Sequence, residues 1–242
     1  MNLHRPKIRL LHTSDVHIGD DTNLGRPTRR LAGLTKVVDI AIREEVDVLL
    51  IAGDFFDNSR VSFSHIEAAW YELARLSIPI ALTPGNHDCL EAPSIYDRVR
   101  APDTLHQLFF LNDPDGSHVV LPDLSLTIWA RGLVQHHPGH FPLLGYQPHL
   151  EQNWQIGMAH GHYVPKGEII NGSSPLLEEQ IANMKCDYLA LGHRHDFADV
   201  SSNDTSAFYS GSPSESFSTF VSVNLVTLDP ATGVHVDRIS LD

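Results

Sequence analysis

Apolar residues in the first third of the chain follow two kinds of pattern. Short continuous runs predict buried strands, at residues 8–12, 46–52 and 78–82. Sets with helical spacing predict amphipathic helices, at residues 31–42 and 66–74. Strands that alternate with helices in this way favour a parallel sheet covered by helices on its faces.

From Leu105 onward the apolar runs are shorter and are separated by turn residues. Three runs predict strands for which we expect antiparallel pairing, at residues 108–111, 119–121 and 124–129. Further strands are predicted at residues 155–159, 188–191, 207–210, 220–228 and 234–239, with a helix at 176–184. Because no repeat or low-complexity linker divides the sequence, we expect residues 1–242 to form a single domain without a separate capping domain.

Composition narrows the class of protein. With 42% hydrophobic and 19% charged residues, the chain is an ordinary globular protein rather than a disordered, collagenous or coiled-coil one. Its formal net charge of −13 excludes binding of nucleic acid or anionic lipid by bulk charge, so a phosphate-bearing partner needs a local positive site. The 2 cysteines are too few for a disulfide framework. Lacking a long apolar run or a signal peptide, the sequence predicts a cytoplasmic protein that starts near Met1 and does not bind membranes.

The 16 histidines point to a metal, because imidazole is the commonest metal ligand. Five clusters of polar residues each follow a predicted strand: Asp15-Val16-His17, Gly53-Asp54-Phe55-Phe56-Asp57, Gly85-Asn86-His87-Asp88, His160-Gly161-His162 and Gly192-His193-Arg194-His195. Any one cluster is explained as readily by a helix cap, a turn or a structural histidine. Since strand ends of an α/β sheet meet at one crevice, the five together predict a dinuclear metal site.

This order of motifs, D-x-H, G-D-x-x-D, G-N-H-D, a later H and G-H-x-H, resembles the calcineurin-like metallophosphoesterase superfamily. Flanking residues 12–19, 53–57 and 209–213 resemble its SbcD-type DNA repair exonuclease branch most closely. The resemblance implies an α/β fold, a four-layer α-β-β-α sandwich with two central mixed β-sheets.

The resemblance also implies two sets of metal ligands that share Asp54. The first ion would be held by Asp15, His17, Asp54 and His195, and the second by Asp54, Asn86, His160 and His193. A carboxylate can bridge two cations, and imidazole nitrogens and an amide oxygen complete a mixed donor set. The family favours two Mn²⁺ ions, and Fe or Zn²⁺ also suits these donors.

Other residues in the motifs have more than one interpretation. His87 matches the family's general acid, and Asp88 would either orient that imidazole or cap a helix. His162 could replace His160 as a ligand, help to bind phosphate or only fill space, and Arg194 could contact a phosphate or pair with an acid. Asp57 is predicted to cap the following turn, with support of a ligand as the alternative.

Three further histidines, His136, His137 and His140, lie in a loop rich in proline and glycine and are predicted to be solvated.

The function implied by the resemblance is metal-dependent hydrolysis of a phosphoester, most favourably a phosphodiester, with exonuclease or endonuclease activity on single-stranded or frayed DNA as the leading case. Hydrolysis of a small phosphodiester, a nucleotide or a phosphomonoester is the alternative, and a non-catalytic scaffold is a minor one. We find no C-terminal arm of the kind that the nuclease branch uses for its ATPase partner, so we do not expect that partner.

Overall fold

The computed structural model describes residues 5–19, 29–99, 101–150, 152–214 and 220–241. Its helices are α1 (Arg29–Arg43), α2 (Phe63–Leu73), α3 (Ile95–Arg98) and α4 (Glu178–Asn183). Its strands are β1 (Ile8–Thr13), β2 (Val48–Ala52), β3 (Ile80–Thr83), β4 (Leu108–Phe110), β5 (Ser117–Leu121), β6 (Leu126–Ala130), β7 (Trp154–His160), β8 (His162–Val164), β9 (Pro175–Leu177), β10 (Tyr188–Gly192), β11 (Phe197–Asp199), β12 (Ser206–Ser210), β13 (Ser222–Asp229) and β14 (Gly233–Ser240).

The strands form two six-stranded mixed sheets. The first has the order β14-β13-β1-β2-β3-β4, in which β1 to β4 run parallel, β13 pairs antiparallel with β1, and β14 pairs antiparallel with β13. The second has the order β11-β12-β10-β7-β6-β5, in which the four inner strands run parallel and the two edge strands antiparallel. A separate two-stranded parallel ribbon joins β8 to β9.

Side chains of the inner strands alternate between two apolar cores. Leu49 on β2 packs with the apolar faces of α1 and α2, whereas Leu50 packs against the second sheet, where Ile156 lies. The outer face of the second sheet is covered by a third apolar cluster that joins Leu189 to Ile181 of α4. The layers are therefore helix, sheet, sheet and helix, and the predicted four-layer α/β sandwich is confirmed.

Pairing differs from the prediction at one strand. Residues 117–121 and 126–130 pair antiparallel as expected, but β4 pairs parallel with β3 at the edge of the first sheet. The helix predicted at 176–184 begins later, at Glu178, because Pro175–Leu177 is a strand of the ribbon. Among the described helices, none has both the length and the apolar character needed to cross a bilayer.

Candidate metal centre

The polar clusters meet where the carboxyl ends of the two sheets face each other. Asp15 follows β1 and Asp54 follows β2 in the first sheet, while His160 ends β7 and His193 follows β10 in the second. The sheets approach very closely here, since a Cβ placed on Gly192 would lie 1.9 Å from the carbonyl oxygen of Ala52. Glycine at this position therefore lets the two halves of the centre come together.

Several of these side chains are carried on a strained backbone. Asp15, His17 and Asp54 have φ angles of 54°, 54° and 51°, and His193 has a φ of 104°. Residues with a side chain rarely adopt this region, and such strain clusters at functional sites. Backbone hydrogen bonds maintain it, from the Asp15 N–H to the Gly53 carbonyl at 3.1 Å and from the His17 N–H to the Asp54 carbonyl at 2.9 Å.

Asp15, His17 and His195 form one group of converging donor atoms. The Nε2 atoms of His17 and His195 lie 3.3 Å apart. Oδ1 of Asp15 is 3.6 Å from Nε2 of His195 and 4.0 Å from Nε2 of His17. Asp15 and His17 are fully buried, so this group could hold a cation away from bulk water.

Asn86, His160 and His193 form a second group. Oδ1 of Asn86 lies 2.8 Å from Nδ1 of His193 and 3.0 Å from Nε2 of His160. One amide oxygen between two ring nitrogens is a donor arrangement suited to a cation with nitrogen and oxygen ligands.

Asp54 belongs to both groups. Its Oδ2 is 3.8 Å from Nε2 of His17 and 3.3 Å from Nε2 of His160, while its Oδ1 accepts a hydrogen bond of 2.8 Å from the His87 N–H. Burial raises the pKa of this carboxyl, but the charge and hydrogen bond of His160 and the charge of His17 outweigh burial and hold the pKa below its ordinary value. Asp54 is therefore a buried, ionised carboxylate, which favours positive charge beside it.

Near this carboxylate, the pKa of one histidine is lowered and the pKa of another is raised. Burial lowers the pKa of His193 to about 3, with help from the charge of His160, so its ring is neutral and can donate an electron pair. Burial also acts to lower the pKa of His160, but the Asp54 charge prevails and raises it to about 9. Since a cation would take the place of that proton, the donor set fits a pair of divalent metal ions.

Contacts behind the ligands orient the rings. Nδ1 of His160 lies 2.9 Å from the Ala52 carbonyl, to which it donates, so Nε2 is left facing Asp54 and Asn86. Nδ1 of His17 lies 3.5 Å from Oδ1 of Asp57. The other oxygen of Asp57 accepts a hydrogen bond of 3.1 Å from the Asn58 side chain, so Asp57 stabilises the turn and lies beside the ring of a proposed ligand.

His87 lies at the open side of the centre, with 43% of its side chain exposed. Its Nδ1 is 2.8 Å from the carbonyl oxygen of Asp57, and its ring contacts that of His17 edge-on with centroids 4.6 Å apart. The ring is thus next to the proposed ligands and is reachable from solvent.

Asp88 has a different role from either of the two expected. Its buried carboxylate accepts hydrogen bonds from the backbone N–H groups of Gly85 at 2.7 Å and Phe55 at 2.9 Å, and from the Tyr96 hydroxyl at 2.7 Å. None of the hydrogen bonds described for it reaches the His87 ring, and the nearby helix α3 is capped by Ser94. Asp88 instead ties the loop that carries Asn86 to the loop that carries Asp54.

The two remaining predicted site residues lie at the rim. His162 is exposed at the start of β8, where its backbone N–H donates to the Ser174 carbonyl at 3.1 Å. Arg194 is exposed between two of the proposed ligands.

The prediction that three loop histidines are solvated is correct for His137 and wrong for the other two. His140 is buried, and burial lowers its pKa to about 4. His136 is half-buried, and its ring centroid lies 5.6 Å from that of His193. Sequence reasoning missed His136 because the path of a loop, unlike a strand-end motif, has no periodic signal.

The chain resembles known phosphoesterases over much of its length. The family model for calcineurin-like phosphoesterases matches residues 8–197. Over 95 residues, the chain is 40% identical to a subunit of the nuclease SbcCD of Rhodobacter capsulatus, a match that covers 36% of this chain and 24% of that protein. Over 223 residues it is 23% identical to YhaO of Bacillus subtilis, an uncharacterized metallophosphoesterase, with 84% of this chain and 52% of that protein covered.

The fold is also found in solved structures. The crystal structure of TT1561 from Thermus thermophilus superimposes with a TM-score of 0.61 at 14% sequence identity, and covers 98% of this chain and 100% of that one. The chain spans between about a quarter and about half of the length of the two curated relatives.

Proposed function

The chain belongs to the calcineurin-like phosphoesterase family, and from this premise we propose that it hydrolyses phosphodiesters at a dinuclear metal centre. The observation that carries the proposal is the position of Asp54, whose Oδ2 lies 3.8 Å from His17 Nε2 and 3.3 Å from His160 Nε2. A buried, ionised carboxylate between two groups of nitrogen and oxygen donors suits two cations better than one.

We assign the ligands in two sets that share Asp54. The first comprises Asp15, His17, Asp54 and His195, and the second comprises Asp54, Asn86, His160 and His193. Two Mn²⁺ ions are our proposed occupants, and the same donors would accept Fe or Zn²⁺. When bound, such ions supply the Lewis acidity and the local positive charge for an in-line displacement at phosphorus.

Within this scheme His87 is the general acid. Hydrolysis of an unactivated ester needs a proton on the leaving oxygen, and an imidazole at the open side of the centre can deliver it. The contact of 2.8 Å between its Nδ1 and the Asp57 carbonyl orients the ring, so Nε2 is the nitrogen available to the leaving group.

Asp88 acts as a positioning residue rather than a partner of His87. Its contacts at 2.7 Å to the Gly85 N–H and 2.9 Å to the Phe55 N–H keep Asn86 and His87 in register with Asp54. Arg194 and His162, both exposed at the rim, are proposed to contact the phosphate of the substrate.

DNA is the second candidate substrate, favoured by the 40% identity over 95 residues to a protein named as part of a nuclease. The net charge of −13 argues against a long duplex tract, because proteins that grip duplex DNA do so with many lysine and arginine contacts to phosphate. We therefore propose small phosphodiesters and single-stranded DNA as substrates. We also propose a cytoplasmic location.

Turnover of four substrates tests the proposal. An aryl phosphodiester, an aryl phosphomonoester, a single-stranded oligonucleotide and a blunt duplex are compared on protein stripped of metal and on protein reloaded with Mn²⁺, Zn²⁺ or Fe²⁺. We expect ready cleavage of the aryl diester with Mn²⁺, weak cleavage of the single strand and little of the duplex. Activity confined to the monoester would contradict the diesterase assignment, and no turnover with any metal would favour the scaffold.

A further inference from the structure

His136 lies beside the proposed metal centre but belongs to neither set of ligands. Its ring and that of His193 have centroids 5.6 Å apart and planes inclined by 42°. Burial lowers the pKa of His136, and the charges of His160, Asp54 and His87 also act on it. The ring contact places the His136 imidazole against a proposed ligand of the second group.

The loop that carries His136 is held in place from two sides. The Leu90 N–H donates to the Leu133 carbonyl at 2.9 Å, and the Gln135 side chain donates to Glu91 at 2.8 Å. These bonds tie the loop to the segment that follows His87.

On its other side the loop is tied to the segment that leads into β9. The Ser174 N–H donates to the His137 carbonyl at 3.1 Å. The Ser174 hydroxyl lies 3.2 Å from Nδ1 of His136, and Ser174 itself is fully buried. The position of the imidazole is therefore determined by both its backbone and its side-chain contacts.

We propose that His136 is a substrate-binding residue whose Nε2–H donates a hydrogen bond to a non-bridging phosphate oxygen on the His193 side of the centre. With the Ser174 hydroxyl as donor to Nδ1, the ring hydrogen resides on Nε2, which is then a donor free to meet an anionic oxygen. The inference deepens the proposed function and rests on it for the identity of the ligand as a phosphate group.

The matched variants are His136→Ala and His137→Ala, which change neighbouring histidines on one loop. His137 serves as the control because it is exposed and its Nδ1 accepts a hydrogen bond from the backbone N–H of Gly139. Four quantities are measured on Mn²⁺-loaded protein: metal content, the affinity for inorganic phosphate by calorimetry, and both KM and kcat for an aryl diester. For His136→Ala we expect unchanged metal content and phosphate affinity weakened by about 10- to 100-fold, the value of a hydrogen bond to a charged group. KM for the diester should rise as the phosphate affinity falls, while kcat should change less.

His137→Ala should match the wild type in all four quantities. His136→Gln, which retains an N–H donor, should recover part of the phosphate affinity, whereas a purely structural role would not be rescued in this way. Ser174→Ala, which frees the ring to reorient, should weaken phosphate binding by less than His136→Ala.

Two results would overturn the inference: wild-type phosphate affinity in a folded His136→Ala protein that keeps its metals, or loss of metal from that variant, which would make His136 a ligand. The phosphate titration does not depend on turnover. A protein that binds phosphate through His136 but cleaves no ester would refute the proposed function and leave this inference intact.

Discussion

Four of the proposed ligands, Asp15, His17, Asp54 and His193, have positive φ angles. Each such residue costs on the order of 1–3 kcal/mol, which the surrounding structure must offset. Here the backbone hydrogen bond of 2.9 Å between the His17 N–H and the Asp54 carbonyl joins two strained residues directly. The backbone of the fold itself thus holds these donors in position.

Substitution of His87 tests catalysis independently of metal binding. Because its ring is a proposed proton donor and not a ligand, His87→Ala should keep its full metal content and lose about 10²- to 10⁴-fold in kcat on an unactivated diester. A diester with an aryl leaving group needs no proton, so its loss should be much smaller. Equal losses on the two substrates would remove His87 from the role of general acid.

His12 links stability to pH. It is fully buried between the two sheets, with Nδ1 2.8 Å from the Tyr188 hydroxyl, and burial lowers its pKa from 6.5 to about 3. Below pH 6.5 the unfolded chain therefore takes up a proton that the folded protein excludes, so the free energy of unfolding falls as the pH falls towards 3.

Chemical denaturation at pH 7.5 and pH 5 measures this effect. Over that interval the wild type should lose about 2 kcal/mol more than His12→Gln, which keeps an acceptor for Tyr188 but does not titrate. His235→Gln, at an exposed position, serves as the control and should follow the wild type. The same pH dependence in His12→Gln and the wild type would refute the assignment.

At the scale of elements, the centre depends on the contact between the end of β2 and the end of β10. A Cβ on Gly192 would lie 1.9 Å from the Ala52 carbonyl and 2.7 Å from Nδ1 of His160, two atoms that are themselves hydrogen-bonded. Any larger residue must push the sheets apart or turn the His160 ring.

Gly192→Ala should accordingly lower the free energy of unfolding by roughly 1–3 kcal/mol, the usual cost of overpacking. Metal affinity should fall by about 10- to 100-fold, as it does when the support of a ligand is lost. The control is Gly139→Ala, where the added Cβ meets only the exposed His137 side chain, at 3.0 Å. Metal titration and thermal unfolding measure both effects, and wild-type metal affinity in Gly192→Ala would contradict the account.

The sequence predicts those elements and site residues whose signal is local. Apolar runs in the sequence predict β1, β2, β3, β7 and β10. Because the carboxyl ends of parallel strands meet at one edge of a sheet, the polar clusters at these ends are predicted to lie close together. In contrast, β8, β9 and β11 are only 3 residues each, too short for a period, and depend on partners distant in sequence.

Contacts between residues distant in sequence also explain the incorrect predictions for Asp88 and His136. The carboxylate of Asp88 is engaged by Phe55, 33 positions earlier in the chain, a partner that no local motif reveals. The approach of His136 to His193 likewise depends on how a loop crosses between sheets. That the chain is a single domain, and that it lacks a capping domain, stay predictions.

For the whole molecule, the net charge of −13 sets how the substrate can be held. A protein that makes 6–10 phosphate contacts loses about 10³- to 10⁵-fold in DNA affinity between 50 and 200 mM salt. With the centre supplying most of the positive charge, KM for a single-stranded oligonucleotide should rise by less than about tenfold over the same interval. A steeper salt dependence would instead reveal an extended basic path for DNA.

The central claim, two metal ions that share Asp54, is tested most directly by metal analysis of Asp54→Ala. The wild type reloaded with Mn²⁺ should bind two ions per chain, as should Asp103→Ala, which removes an exposed carboxylate elsewhere. Asp54→Ala should retain neither ion after gel filtration, since both donor groups lose their common member. Two tightly bound ions in a folded Asp54→Ala protein would contradict the account.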